Sequence, residues 1–500
     1  MKVLLTGSSG FIGRHVCKAL SNYEVQIITL SRSKSYENSL FAEESYREDL
    51  QSISEERLLS ILHDIDFVIH CAGQSSVDES DKESINRSYA INVMAVQKLA
   101  SAAKRSGVKR FILLSSIKVN GEATSENILS ENSALAPEGV YANHKAEAEE
   151  CVTDTFHGSS TDWVIVRPPI VYGQGASGAV RGLLLLNMLP VSFSFKQLEN
   201  IRASIGVSNL ADFIAYISVS NLNRHSLNRS YVITDKPPLS LNSLVARFNE
   251  VGANCFTFGR PVIDLSKAIN FLLSKNKKIK FLSCLKVNSD HIHQLTDWSF
   301  NYAINDDVQS SFLLNRPVIR IADILISIIG LCVVCPFMLM IFVSLFVETS
   351  HPLYTQQRIG ANGREFTIFK FRTMRIDAPS LPSHLVDAKL ITPVGRFLRR
   401  YKLDELPQLI NVFRGDMSMV GPRPALPEQK VVHVSRSKNN LLHLRPGLTG
   451  CAQISKIDMS EPYLLAKLDR KTMEGLSLKS YFRIILNTIL GSGSGDAAKN

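Results

Sequence analysis

Tryptophan is almost missing from this 500-residue chain, with two, and cysteine is sparse, with eight. The cysteines are scattered. Only Cys332 and Cys335 come close to a metal-ligand spacing, and both lie inside an apolar run without partner ligands, so they read as packing residues. This excludes a disulfide framework and fits a reducing compartment. Met1 leads straight into Val3-Leu4-Leu5, with no basic leader, long apolar stretch or small-residue cleavage site. No signal peptide is therefore expected, and the N-terminal part should stay in the cytoplasm. A basic groove interleaved with aromatics is also lacking, and no nucleic-acid motif occurs, which argues against nucleic acid as a partner.

What is present divides the chain in two. Five hundred residues with 45% apolar composition are too many for one core and too apolar for disorder. From Ser311 onward there are 25 Lys and Arg against 14 Asp and Glu, leaving 31 against 32 before it. The basic excess thus belongs to the C-terminal part, beside the apolar run from Ile321 to Val347. Such a surface suits anionic lipid heads and pyrophosphate.

The N-terminal part opens with a strand, then Gly7-Ser8-Ser9-Gly10-Phe11-Ile12-Gly13, then an apolar-periodic helix from His15 to Leu20. Glycines at this spacing let the backbone approach a pyrophosphate on the helix N-terminus. Further strands are expected at Val25–Leu30, Asp66–Cys71 and Phe111–Ser115, alternating with helices, which predicts a doubly wound parallel sheet. Tyr141 and Lys145 fall on one helix face, with Ser116 ending a strand upstream. An ammonium near a phenol lowers its pKa, so Tyr141 is expected to exchange a proton with a sugar hydroxyl while a nicotinamide exchanges hydride.

These residues resemble the extended short-chain dehydrogenase/reductases, the nucleotide-sugar epimerases and reductases, over roughly residues 1–312. The likeness includes the glycine loop, Asp49-Leu50, His70-Cys71-Ala72-Gly73, Ser115-Ser116, Tyr141 with Lys145, and Arg167 to Gly173, with Trp298 at a late position. It implies cofactor contacts from Gly7, Gly10, Phe11, Ile12, Gly13, Asp49, Leu50, Ala72, Gly73, Tyr141 and Lys145. In it Ser116 holds the sugar carbonyl or hydroxyl, Tyr141 is the acid/base, and Lys145 binds the ribose. Two departures stand out. Ser31-Arg32 replaces the acid that would bind a ribose 2′-hydroxyl, and an arginine there can pair with the 2′-phosphate of NADP. Asn120 stands where relatives often have tyrosine, which leaves sugar contacts there open.

In the C-terminal part the run Ile321–Val347 is long enough to cross a bilayer. Pro336 near its middle, and Arg316, Arg320 and Arg358 flanking it on both sides, speak for a helix that enters and turns back, its length speaks for a full span, and these cues leave both open. Downstream, Arg358, Lys370, Arg372, Arg396, Arg399 and Arg423 gather around Asp404 and Glu405, and planar guanidinium groups suit bidentate phosphate contacts. Leu403, Leu406 and Leu409 around the acidic pair suggest an amphipathic helix starting there. One carboxylate could attack phosphorus while its neighbour holds magnesium, and spacing alone does not say which.

This region resembles the bacterial sugar transferases, the monotopic polyprenyl-phosphate phosphoglycosyl transferases, over about residues 314–490. The motifs are Arg320 with Asp323, Gln357 to Gly360, Lys370 to Met374, Leu403 to Gln408, Asn411, Gly415 to Pro424, and Pro446 to Gly450. The resemblance implies that Asp404 attacks the sugar-proximal phosphate of a UDP-sugar, releasing UMP, and that undecaprenyl phosphate then takes the phosphosugar. It further implies Glu405 as the Mg²⁺ ligand, Arg399 and Arg423 on phosphates, and a re-entrant helix, here with Cys335-Pro336 at the hinge. Taken together, the chain is expected to join a UDP-sugar-making domain (1–312) to a membrane-bound transferase (313–490, membrane segment 321–347), with a flexible tail at 491–500. Both sites should face the cytoplasm at the bacterial inner membrane. Arg32 favours an NADP-dependent 4-keto-sugar reductase over an NAD-dependent 4-epimerase or a non-catalytic UDP-sugar-binding module, and a homodimer is left open.

Overall fold

The computed structural model describes residues 1–33, 35–124, 128–186, 192–194, 200–236, 240–253, 262–264, 283–313, 317–376, 390–455 and 457–490. Arg316 and the tail 491–500 lie outside the described residues. The chain divides into two compact units, residues 1–253 with 260–312, and 254–259 with 313–500.

The first unit is built on a parallel sheet. Its strands are β1 (Lys2–Thr6), β2 (Gln26–Leu30), β3 (Glu44–Tyr46), β4 (Phe67–His70), β5 (Arg110–Leu114), β6 (Asp162–Arg167) and β7 (Arg229–Val232). They lie in the order β7-β6-β5-β4-β1-β2-β3 and every pairing is parallel. Side chains alternate across a strand, so Val3, Leu5, Ile69, Ile112 and Leu114 enter one core, while Leu4, Val68, Phe111 and Leu113 enter the other. A sheet covered on both faces needs strands whose central positions are apolar on both sides, as Val3-Leu4-Leu5, Phe67-Val68-Ile69 and Phe111-Ile112-Leu113-Leu114 are. The order reverses between β1 and β4, opening a crevice at their C-terminal ends beside α1 (Phe11–Leu20). The doubly wound sheet read from the sequence is the one observed.

The second unit is largely helical. Its 33-residue helix Pro317–Thr349 runs unbroken through Pro336. Ile321, Leu325, Val333, Phe337, Val343 and Val347 on this helix are exposed. Residues near each of its ends pack on its own unit. Ile319 joins Leu409 and Val412 in one cluster, and Ile341 and Leu345 join Phe371 and Leu398 in another. Cys332 and Cys335 are exposed, so the reading of them as packing residues is corrected. Beside the helix stand an antiparallel hairpin, Leu353–Ile359 with Glu365–Phe371, and a short parallel pair, Ser418–Val420 with Gly447–Thr449.

Candidate active sites

In the first unit the glycine loop is shaped by close approach. Gly7 has φ +70°, and a Cβ there would sit 2.4 Å from the Ala72 nitrogen, while one on Gly13 would lie 2.2 Å from the Gly7 oxygen. The loop therefore lies hard against the end of β4, and any side chain would push the two apart. Gly10 caps α1 without a side-chain bond and no acid stands in the first turn, so the helix amides carry no side-chain cap of their own. Ser8 Oγ in the loop and Ser115 Oγ at the end of β5 are buried without a hydrogen-bond partner. These features fit a dinucleotide with its pyrophosphate over the start of α1.

Not every residue expected to touch that dinucleotide is equally placed. Leu50 is core, packed with Ile28 and Leu58. Asp49 accepts from Gln51 N at 3.1 Å and holds a turn. Phe11 stacks edge-on with His15 at 5.9 Å, and Ile12 packs against the sheet core. Arg32 is exposed after β2. Gly73 is close to two functional groups, since a Cβ there would meet Asn92 Oδ1 at 3.1 Å and Lys145 Nζ at 3.5 Å.

Helix α2 (Val140–Phe156) carries Tyr141 and Lys145. The Ser116 and Tyr141 side chains are hydrogen-bonded, and Lys145 Nζ donates to the Leu114 carbonyl at 2.8 Å, so all three expected residues meet at the end of β5. Burial pushes the Tyr141 phenol up to about 12, against the Ser116 bond that lowers it. The expectation of a lowered phenol is corrected, because its desolvation raises it. Burial also brings Lys145 down to about 8, opposed by Glu149. His70, which shares a 2.8 Å bond with Thr6 Oγ1, is driven to about 3 by burial and then by Lys145, and is neutral.

Sequence reasoning missed Asn92. It sits in a π-helical turn, Ala90–Met94, where Oδ1 accepts from Gln74 N at 3.0 Å and Nδ2 donates to Gln74 O at 3.0 Å. It thereby fixes the chain just after Gly73. Asn120, where a sugar contact was left open, is instead buried, donating to Ser133 O at 2.9 Å and accepting from Arg167 at 3.3 Å. Arg167 itself is held by buried Glu149 at 2.6 Å.

In the second unit Asp404 and Glu405 do not start a helix. They lie in a 3₁₀ turn, Leu403–Glu405, entered through a left-handed Lys402 (φ 57°), and the helix Gln408–Arg414 begins only after Pro407. The expected amphipathic helix is corrected accordingly. Lys370 Nζ donates to Glu405 Oε1 at 2.8 Å, and Arg423 lies 3.8 Å from the same oxygen. Burial opposes ionisation of Glu405, but Lys370 and Arg423 override it and hold the carboxyl below its usual range. Burial, and then the charge of Glu405, raise Asp404, with Lys370 and Arg399 pulling the other way.

The remaining basic residues divide by task. Arg399 donates to Thr373 Oγ1 at 2.9 Å. Arg358 donates to Pro424 O at 3.0 Å, and burial with the nearby charge of Arg423 brings it down to about 10. Arg436, which no motif singled out, donates to Arg423 O at 2.7 Å, so the 423–424 backbone is gripped by both arginines. Arg372 is committed to the carbonyls of His351 (2.9 Å) and Leu353 (3.3 Å), which places it as a brace for the hairpin rather than with the carboxylates. Among the described residues no group of three or more metal-ligating side chains occurs. Two adjacent carboxylates, one held ionised, fit Mg²⁺ whose other ligands are phosphate oxygens and water, not an all-protein cage.

Residues 3–218 match the NAD dependent epimerase/dehydratase family, and residues 314–493 match the bacterial sugar transferase family. The chain is similar to the UDP-glucose 4-epimerase of Vibrio cholerae, 30% identical over 305 residues, 59% of this chain and 90% of that one. It is also similar to the galactosyl transferase CpsE of Streptococcus agalactiae, 35% identical over 194 residues, 35% of this chain and 43% of that one. It thus spans under half the length of CpsE. Among solved structures it resembles a UDP-glucose 4-epimerase from Thermotoga maritima with a TM-score of 0.51 at 20% identity, covering 62% of this chain and 97% of that one, a likeness of fold.

Proposed function

Because the chain belongs to the NAD dependent epimerase/dehydratase family through residues 3–218 and to the bacterial sugar transferases through residues 314–493, we propose that it performs two consecutive steps of surface-glycan assembly. The first unit finishes a UDP-sugar; the second loads its phosphosugar onto undecaprenyl phosphate at the membrane. The observation that carries the second step is the acidic pair set among Lys370, Arg399 and Arg423.

In that step an Asp404 oxygen attacks the sugar-proximal phosphorus, the bond to UMP breaks, and a phosphosugar ester remains on Asp404. A phosphate oxygen of the lipid then attacks the same phosphorus and frees Asp404. Glu405 would hold Mg²⁺, which supplies charge neutralisation for the pyrophosphate. Arg399 and Arg423 bind phosphate oxygens, Arg358 and Arg436 hold the 423–424 segment, and Lys370 keeps Glu405 ionised and placed. Ile319 near the start of the helix 317–349 and Ile341 and Leu345 near its end all pack on its own unit, which supports a segment that does not carry one end to the far side of the bilayer.

In the first unit Gly7, Gly10 and Gly13 make room for the dinucleotide, Ala72 and Gly73 flank it, and Lys145 holds its ribose; when bound, it supplies the hydride. Tyr141 Oη gives its proton to a sugar carbonyl oxygen that Ser116 Oγ also hydrogen-bonds. The exposed Arg32 after β2, where an acid would hold a ribose 2′-hydroxyl, supports reduction of a 4-keto-6-deoxy sugar with NADPH. The alternative is 4-epimerisation with retained NAD.

Two assays test this. Mass spectrometry of the protein mixed with its UDP-sugar should find a phosphosugar adduct on Asp404 and free UMP, and UMP release that persists in Asp404→Asn overturns the nucleophile. The purified protein should consume NADPH with UDP-4-keto-6-deoxy-N-acetylglucosamine. If it instead interconverts UDP-N-acetylglucosamine and its 4-epimer without net oxidation, the reductase reading fails.

A further inference from the structure

His144 stands between Tyr141 and Lys145 on α2, and the chemistry proposed above leaves it without a task. It is buried, its ring meets Tyr89 edge-on at 5.4 Å, and its Nδ1 shares a 3.0 Å hydrogen bond with Ser88 Oγ. Ser88 is fully buried in the last turn of the helix Lys82–Tyr89, and Asn92 Nδ2 donates to its Oγ at 3.0 Å. Three side chains thus form one line from the helix that carries Tyr141 to the chain that follows β4.

The backbone of Gln74 fixes the direction of every hydrogen in that line. An amide can only donate and a carbonyl only accept, so Asn92 must turn Oδ1 to Gln74 N and Nδ2 to Gln74 O, each at 3.0 Å. The second Nδ2 hydrogen goes to Ser88 Oγ. Ser88, accepting there, has its own hydroxyl hydrogen to give to His144 Nδ1. The imidazole can take it because burial lowers this histidine, with Glu147 acting the other way, and keeps the ring neutral at neutral pH. A neutral ring has one acceptor nitrogen, which puts its proton on Nε2. At the other end of the line lies the Gly73–Gln74 backbone, where a Cβ on Gly73 would meet Asn92 Oδ1 at 3.1 Å and Lys145 Nζ at 3.5 Å.

We propose that His144 is a positioning residue of the first unit: through Ser88 it holds the Asn92 amide, and through Asn92 it sets the Gly73–Gln74 backbone against the dinucleotide. The proposal rests on the dinucleotide site proposed above and adds what keeps that site in register with Tyr141 and Lys145, which share a helix with His144. Without the imidazole the buried Ser88 hydroxyl loses its acceptor, and the amide that leans on it loses a fixed partner.

Hydrogen–deuterium exchange and dinucleotide titration of the purified full-length protein in detergent test it, with NADP⁺ and NAD⁺ as ligands and no turnover needed. In His144→Ala and in Ser88→Ala the peptide covering 72–76 should exchange at least about tenfold faster while β1 and β5 keep their rates, and the affinity for whichever dinucleotide binds the unaltered protein should fall by about tenfold. His144→Asn, whose Oδ1 can stand in for Nδ1 as acceptor, should restore most of both. The double variant should bind no more weakly than the weaker single one, since both replacements break the same line. The proposal is overturned, and the dinucleotide site stands, if His144→Ala leaves affinity and 72–76 exchange unaltered, if the two losses add, if His144→Asn is no better than His144→Ala, or if exchange quickens evenly over the whole sheet. If the unaltered protein binds neither nucleotide, the dinucleotide site falls and this proposal with it. Ser88→Ala removes a single oxygen and reads the same line should His144→Ala fail to fold.

Discussion

Asp404 and Glu405 are neighbours in the chain but end in different electrostatic surroundings. Glu405 faces Lys370 and Arg423 and stays ionised far into acid; Asp404 is desolvated beside a fixed negative charge, which raises it. A nucleophilic carboxylate must be ionised. UMP release should therefore fall on acidification at a pH above the ordinary aspartate range, and a profile flat down to about pH 4, the unperturbed aspartate value, would contradict the assignment. Lys370→Met removes a cation that lowers both groups, so it should move the acid limb further upward and cut the rate by about tenfold or more. In the first unit, Tyr141→Phe removes the proton donor and should slow NADPH oxidation by roughly 10²- to 10⁴-fold with dinucleotide binding kept. An unchanged product sugar would make the unit a binding module instead.

At the scale of elements, polar side chains join the membrane helix to its unit. Arg320 donates to the carbonyls of Val412 (2.6 Å) and Phe413 (2.9 Å), satisfying the end of the helix Gln408–Arg414 with positive charge. Buried Asp323 accepts from Ser418 Oγ at 3.0 Å, Met419 N at 2.8 Å and Tyr481 Oη at 2.8 Å. Asp323→Ala strands three buried donors, at about 1–3 kcal/mol for each left unpaired. Thermal unfolding in detergent should show a clear loss of stability, with Asp323→Asn milder because its carbonyl still accepts. Asn411 does a similar job nearer the chemistry. It accepts from Phe369 N at 3.1 Å and donates to Thr367 O at 2.8 Å, tying the helix after the acidic turn to the strand that carries Lys370.

Each unit has its own core, so full-length Asp404→Asn should lose lipid-linked product yet retain NADPH oxidation. Both halves of helix 317–349 touch the same unit, and both ends should then stay on one side. Cysteines placed at Asn305 and Ser350 should react with an impermeant maleimide in inverted vesicles and resist it in spheroplasts. Reaction of only one of them in each preparation would establish a span.

Much of this architecture is legible in the order of residues alone. The glycine loop, the Tyr141–Lys145 spacing, the apolar strands, the long apolar run and the acidic pair are local patterns, and local backbone physics ties them to a doubly wound sheet, a phosphate-binding turn and a membrane segment. The rest was settled by contacts between elements distant in the chain. It includes the left-handed entry at Lys402 that replaces an expected helix, the use of Arg372 as a brace, and the Asn92 clasp behind Gly73. Burial was the other hidden variable. The sequence places Lys145 near Tyr141, but how much water each loses is set by the surrounding fold, and that loss raises the phenol against the Ser116 hydrogen bond.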